Sequence, residues 1–374
     1  MRILAIETSC DETAIALLEA KGGINRPFFR VIKSLVSSQV KIHAPFGGVV
    51  PSLAKRQHLK NLPFLLEKIL GKDPFSQKQQ IEKIDLIAVT VGPGLEPALW
   101  TGIGFAQQLS QEWKKPLAGA NHLEGHLFSF LLSSKFFDKK RLESLKNYSL
   151  KLWFPAISLI VSGGHTILVL LKNLKNYQKI GETLDDAVGE SFDKVARLLG
   201  LSYPGGPEIE RLAKKGNAQA IAFPLPMISQ KNFNFSYSGL KTAVLYYLRD
   251  LNTSTKENNH NFWKPGAFKI NPSLREDIAA SFQRAAFLPL VKKSSLAALK
   301  YQAKSIFLGG GVAANKKLAQ MIRKEIKDKK IKANLVVPPL NYCLDNAVMI
   351  GVAAYLNRLS KKKYPLKANG NLNL

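Results

Sequence analysis

Apolar positions open the chain as two short runs, 2–7 and 14–19, on either side of the polar turn Thr8-Ser9-Cys10-Asp11-Glu12-Thr13. Aliphatic runs of that length around a short polar turn predict a β-hairpin. A strand is expected at 31–40. Pro51-Ser52-Leu53-Ala54 then begins a helix running to about Leu70, with Ser52 as its N-cap. Residues 72–83 are polar and rich in Lys and Gln, and read as a connector. The apolar run 84–91 predicts a buried strand ending in Gly92-Pro93-Gly94-Leu95. A helix from Pro97 to about Trp113 follows, with Gly102 and Gly104 suited to close packing, and then a short strand at 116–120. Strands alternating with helices predict an α/β lobe.

The opening pattern recurs after 133–151, a Lys/Ser/Phe-rich stretch read as an insertion and domain boundary. Strands at 155–161 and 167–171 flank Ser162-Gly163-Gly164-His165-Thr166, which predicts an internal duplication of the first lobe. A helical stretch, 184–199, carries Asp186, Glu190 and Asp193. The glycine turn Tyr203-Pro204-Gly205-Gly206-Pro207 leads into a further helix at Glu208-Ile209-Glu210. Asn234 to Thr242 is a compact polar and aromatic turn entering a helix, and 251–266 is a low-complexity Asn/Thr/Lys loop. A long helix is expected at 278–299. The strand 305–308 runs into Gly309-Gly310-Gly311-Val312-Ala313-Ala314-Asn315, a strand lies at 335–337, and an apolar helix begins at Asp345. The stretch 361–374 is basic and is expected to be disordered.

Composition changes this picture in one respect. With 374 residues, 46% hydrophobic and 22% charged, the chain has material for two ordinary globular domains. Its net charge of +27 is exceptional and favours a polyanionic partner, nucleic acid first, although lysine-rich composition alone also produces such an excess. Cys10 and Cys343, two lone thiols, fit a reducing compartment without a disulfide framework. The first apolar run breaks too early for a signal peptide and no segment is apolar for long enough to span a bilayer, so the expected location is the cytoplasm.

The candidate chemistry centres on Asn121-His122-Leu123-Glu124-Gly125-His126-Leu127. Imidazoles four residues apart share one helix face and can grip one metal ion, whereas two unrelated histidines on a surface helix give the same spacing. Leu123 stands where a zinc protease has its general-base glutamate, which argues against that class. A third ligand is required, and Asp345 is the best candidate, though a simple N-cap would look the same. The turn at Ser162–His165 lets backbone approach an anion closely. The strand, glycine loop and helix around Gly309–Asn315 match the geometry that seats a nucleotide near a helix N-terminus, but are neither a dinucleotide fingerprint nor a Walker A loop. Asn315 is a candidate for a ribose or base contact. Lys55, Arg56 and His58 are read as a solvated helix face.

Taken in order, the motifs Ile6-Glu7-Thr8-Ser9-Cys10-Asp11-Glu12-Thr13, Gly47-Gly48-Val49-Val50-Pro51, Gly92-Pro93-Gly94-Leu95, His122-Leu123-Glu124-Gly125-His126, Val161-Ser162-Gly163-Gly164-His165-Thr166, Tyr203-Pro204-Gly205-Gly206-Pro207, Phe235-Ser236-Tyr237-Ser238-Gly239-Leu240-Lys241-Thr242, Gly309 to Asn315 and Cys343-Leu344-Asp345-Asn346 resemble the bacterial tRNA adenosine threonylcarbamoyltransferases, the TsaD family. They span 1–357. Leu344 replaces a usual Thr, Glu96-Pro97 alters the loop after the GPGL turn, and the stretches 133–151 and 251–266 are extra.

The resemblance implies an actin-like fold, shared with sugar kinases and heat-shock ATPases, with two duplicated ribonuclease-H-like lobes around a nucleotide cleft. Lobe I would be 1–120 completed by a helix at 345–358, lobe II 121–344, and 359–374 a basic tail. It implies transfer of a threonylcarbamoyl group from threonylcarbamoyl-AMP to N6 of the adenine 3′ to the anticodon in tRNAs reading codons that begin with A. His122, His126 and Asp345 would hold one divalent ion, Fe2+ before Zn2+. Ile160, Val161, Ser162, Gly163, Gly164, Asp193, Gly206 and Asn315 would bind the adenylate, with Glu210 a ribose contact. Asp11 and Glu12 would orient or deprotonate the amine. Expected partners are tRNA, a paralogous subunit lacking the metal site and a small ATPase, with no membrane. A small-molecule kinase of the same fold is the alternative, and a metalloprotease the disfavoured one.

Overall fold

The computed structural model describes residues 1–133, 150–252 and 268–374. The stretches 134–149 and 253–267, which hold most of the two extra segments, lie outside the described residues.

Strand β1 (Arg2–Glu7) is flanked by antiparallel β2 (Glu12–Lys21) and parallel β4 (Leu86–Gly92), because the polar turn at 8–11 is too short for anything but a hairpin. With β3 (Phe28–Ser38) outside β2 and β5 (Leu117–Asn121) outside β4, the sheet order is β3-β2-β1-β4-β5. The second sheet repeats this plan. Strand β6 (Ala156–Val161) pairs antiparallel with β7 (Thr166–Leu171), which pairs antiparallel with β8 (Tyr177–Glu182). On the other side β6 is parallel to β9 (Ser305–Gly309), and β9 to β10 (Asn334–Val336). Among the described residues this gives two five-stranded mixed sheets of identical pairing pattern, the duplicated two-lobe actin-like plan.

Helices cover both faces, as parallel strands buried on two sides require. Pro51–Leu70 and Glu96–Trp113 pack over the outer face of the first sheet against Leu4, Ile6, Ile87 and Val89. Pro272–Lys300 and Val188–Leu198 do the same in the second lobe. Between the sheets a third cluster joins Ile3, Ala5 and Leu18 of one to Ile160, Val169 and Phe307 of the other. Ala347–Ser360 runs through this layer with residues 347 to 357 all buried, although hundreds of residues separate it from β1.

Several expectations shift in detail. The N-cap of Pro51–Leu70 is Val50, not Ser52, because Pro51 occupies the first helical position, where its fixed φ and missing N–H cost nothing. The stretch read as a connector holds a helix, Pro74–Glu82, capped by Asp73. The helix expected from Leu184 begins only at Val188. Asn346, not Asp345, caps Ala347–Ser360, which leaves the aspartate free for other work. The stretch expected to be disordered, 361–374, lies against the first lobe, with Leu366, Ala368 and Leu372 in its core cluster. No helix among the described residues is long and apolar enough to cross a membrane.

Candidate metal and nucleotide site

The helix His122–Phe128 follows β5 directly, and the Asn121 side chain caps it by accepting from the Leu123 N–H at 2.8 Å. Every residue of this helix is buried. One turn apart, His122 and His126 set their rings 4.7 Å apart and edge to face. Asp345, just ahead of Ala347–Ser360, brings Oδ1 to 3.0 Å from His126 Nε2 and 3.6 Å from His122 Nε2. The spacing pair and the distant carboxylate therefore meet, with their donor atoms all within 4.8 Å of one another. Donors about 2.1 Å from one ion lie roughly 3.0–3.5 Å apart in tetrahedral or octahedral geometry; the 3.0 Å gap falls in that range and the 3.6 Å gap just above it. Two imidazoles and one carboxylate leave further coordination positions open.

Behind His122 stands Glu7, the last residue of β1. Its Oε2 accepts from His122 Nδ1 at 3.1 Å and from the Thr90 hydroxyl at 2.6 Å, while Oε1 accepts from the Ser9 N–H. Ser9 Oγ also lies 3.1 Å from His122 Nδ1. A buried carboxylate on Nδ1 fixes the tautomer and turns Nε2 toward Asp345, the usual support of a metal-binding histidine. Burial pulls the His122 pKa down, but Asp345 and Glu7 outweigh it and hold the ring at about 9. Burial works against the charge of Asp345, yet the neighbouring histidines keep it well below the usual carboxylate range. His165 is driven to about 4 by burial and then by the positive field of His122 and His126. The sequence singles out neither Glu7 nor Ser9 as part of this site, and gives His165 only as the end of the turn that approaches an anion.

The glycine loops converge on the same place. Gly310 sits at φ +88, and a Cβ there would lie 2.3 Å from the Val161 carbonyl; one on Gly309 would lie 2.5 Å from the carbonyl of His126. The β9 loop thus touches the end of β6 and the helix His122–Phe128 together, which only residues without side chains permit. Ile160 and Val161 are buried at the end of β6, Ser162 is nearly so, and Gly163 and Gly164 are exposed at the turn. Asp193 accepts from the Gly205 N–H at 2.7 Å, holding the start of Gly205–Ala213. Its burial, and next to that the Asp11 charge, push its pKa to about 6 against the pull of the Gly205 hydrogen bond. Gly206 follows, with open space where a Cβ would stand. Asn315 uses both ends of its side chain internally, accepting from Lys317 N and donating to Gln283 Oε1 at 2.8 Å. Glu210, half-buried, lies 4.0 Å from Lys214.

Asp11 closes the turn before β2 and Glu12 opens the strand, close enough to Asp345 to feel its charge. Burial, then the charges of Asp11 and Asp345, lift Glu12 to about 10. His58 proves not to be solvated. It is fully buried, with Nε2 donating to the Cys10 carbonyl at 2.9 Å and Nδ1 accepting from the Thr13 hydroxyl at 2.8 Å, and so it braces that acidic turn. The Phe235–Thr242 motif is a clamp on the loop after β8: Asp185 accepts from Ser236, from Ser238 and from the Tyr237 N–H, and Lys241 pairs with Asp186 at 2.8 Å.

Two duplicated lobes, nucleotide-type glycine loops and an internal His-His-Asp cluster that could hold a metal ion define an actin-like protein. The chain belongs to the TsaD family, tRNA N6-adenosine threonylcarbamoyltransferase, whose model matches residues 30–352. It is 43% identical over 374 residues to the tRNA N6-adenosine threonylcarbamoyltransferase of Thermosipho melanesiensis, covering 100% of both chains. It is 42% identical to that of Moorella thermoacetica, with 98% and 95% covered. Among solved structures, HypF of T. kodakarensis superposes with a TM-score of 0.53 at 15% identity, over 96% of this chain and 48% of that one. A full-length HypF in its phosphate- and nucleotide-bound form gives 0.51 at 11% identity, covering 98% and 47%. The chain spans about half the length of these two, and the likeness is one of fold.

Proposed function

We propose that this chain transfers the threonylcarbamoyl group of threonylcarbamoyl-AMP to N6 of the adenine 3′ to the anticodon in tRNAs reading codons that begin with A. The observation that carries the reading is the meeting of the His122–His126–Asp345 cluster with the Gly309–Gly310 loop, which sets a metal-type donor group beside a nucleotide-type backbone. The family membership agrees with it. A kinase of the same fold would use the glycine loops but has no need of the buried histidines.

In the reaction the N6 lone pair forms a C–N bond at the carbamoyl carbon, the C–O bond to phosphate breaks, and AMP leaves with that electron pair. The proton shed by the amine passes to the Asp11 carboxylate, while Glu12, which burial and its acidic neighbours keep protonated, orients the incoming base. His122, His126 and Asp345 would hold a divalent ion, Fe2+ before Zn2+, which would supply positive charge to the reacting oxygens. Residues Ile160 to Gly164, with Asp193, Gly206 and Asn315, shape the adenylate pocket, and Glu210 faces its ribose. Residues 1–120 with 345–358 form one lobe in this scheme and 121–344 the other.

The setting is cytoplasmic, with a paralogous subunit and a small ATPase as partners. Leu59 and Trp100, exposed on the neighbouring helices Pro51–Leu70 and Glu96–Trp113, line one groove with Phe105 and offer an apolar face for the paralogue. The test is the His122→Ala/His126→Ala double variant, assayed for threonylcarbamoylation of tRNA with the partner proteins. We expect loss of bound metal and a fall in transfer of a hundredfold or more. Full transfer by the metal-free variant would overturn the mechanism.

A further inference from the structure

The glutamate between the two histidines has no place in the chemistry above, yet it is the most heavily tied side chain near the site. Glu124 is fully buried. Its Oε1 accepts from Lys362 Nζ at 2.6 Å, from the Tyr364 hydroxyl at 2.8 Å and from the Tyr177 hydroxyl; its Oε2 accepts from Asn357 Nδ2 at 2.7 Å. Four donors converge on this one carboxylate, three on Oε1 and one on Oε2, and hold it in place. The Lys362 ammonium also lies over the Tyr177 and Tyr364 rings, 5.4 and 5.1 Å from their centroids.

Two of those donors belong to residues 361–374, and this stretch grips the same helix again at its start. Asn121, whose Oδ1 caps His122–Phe128, donates through Nδ2 to the Asn373 carbonyl at 2.8 Å. Between these holds the stretch is laced to the end of the first sheet: Asn369 N donates to the Val91 carbonyl at 2.9 Å, and Gly94 N to the Gly370 carbonyl at 3.3 Å. A helix of seven residues has little stiffness of its own, since nucleation is costly and its few hydrogen bonds repay little of it. Its direction is set by what holds it.

We propose that residues 361–374 are a positioning strap for the metal centre, acting through Glu124 and Asn121 to preset His122 and His126 toward Asp345. Lys362, Tyr364 and Glu124 are positioning residues, and metal affinity depends on them although none reaches the ion. The proposal rests on the reading that His122, His126 and Asp345 bind the metal.

The test titrates the full-length, metal-free chain with Co2+, reading visible absorption for coordination and chelator competition for affinity. The Lys362→Met/Tyr364→Phe double variant should bind Co2+ about 10–100-fold more weakly than the parent, the range found when a group supporting a ligand is removed. Lys362→Arg, which keeps a charged donor, should retain most of the affinity. Lys367→Ala, exposed on the same strap, should match the parent. Unchanged Co2+ affinity in the double variant, with only a lowered melting temperature, would overturn the strap and leave the metal reading intact. No Co2+ binding by the parent, or equal binding by the His122→Ala/His126→Ala variant, would overturn both.

Discussion

At the scale of single residues, Glu7 supports the site from behind His122. Glu7 closes a run in which Ile3 through Glu7 are all fully buried, so the strand looks like plain core with a polar end. What reveals its role is a partner 115 positions away, and no local pattern encodes that. Glu7→Gln keeps the shape and removes the charge; we expect metal affinity to fall about 10–100-fold by chelator competition, with the fold retained. Asp193 makes a separate prediction about pH. Its folded-state pKa, raised from 3.8 to about 6, means the folded chain keeps a proton that the unfolded chain has already lost. Unfolding free energy from this group therefore falls as pH rises from about 4 to about 6 and is level above that, by up to about 3 kcal/mol. Urea titrations across that window, compared between the parent and Asp193→Asn, should show the variant free of this component.

At the scale of elements, the close approach of His122–Phe128 to Ala347–Ser360 depends on Gly125. A Cβ there would lie 2.9 Å from Met349 Cγ and 3.4 Å from Ile350 Cδ1. Gly125→Val should cost about 1–3 kcal/mol in urea unfolding and blur the Co2+ spectrum, because the two helices separate and carry Asp345 away from the histidines. Elements with a strong apolar period were legible in sequence: both opening hairpins, the buried strands ahead of the glycine loops, and the duplication that relates them. The misses share a cause. Strand β8 is an edge strand with a half-exposed, polar surface, and Pro74–Glu82 has no fully buried residue and sets only Ile81 against the core, so neither carries a hydrophobic period to detect. The strap hides Tyr364, Leu366, Ala368 and Leu372 among lysines and asparagines, and its order comes from a surface made elsewhere in the chain. Within the site, the histidine spacing and the glycine turns were visible, while the supports around them depend on contacts distant in sequence.

At the scale of the whole molecule, the lobes meet along a shared core and a cleft, and the Arg197 guanidinium of the second lobe donates to the Gly47 carbonyl of the first. The surface carries a net charge of +27. Binding of tRNA to a chain making about five phosphate contacts should weaken roughly a hundredfold between 50 and 200 mM salt. Measured by filter binding, that slope should exceed the salt dependence of adenylate binding, which engages one phosphate in a cleft. Lysine-rich composition unrelated to nucleic acid predicts equal slopes.

The path of residues 347–374 has a bearing on how the protein comes into being. The first lobe contains the first residues to leave the ribosome, yet its inner face stays bare until Ala347–Ser360 arrives, and Glu124 waits for Tyr364, 240 positions later. Domains generally fold as units as they emerge. Here the second lobe is the one able to settle during translation, and the first is completed only afterwards. Assembly of the His-His-Asp cluster is thereby tied to synthesis of the whole span, and a prematurely terminated chain lacks the Asp345 that completes it.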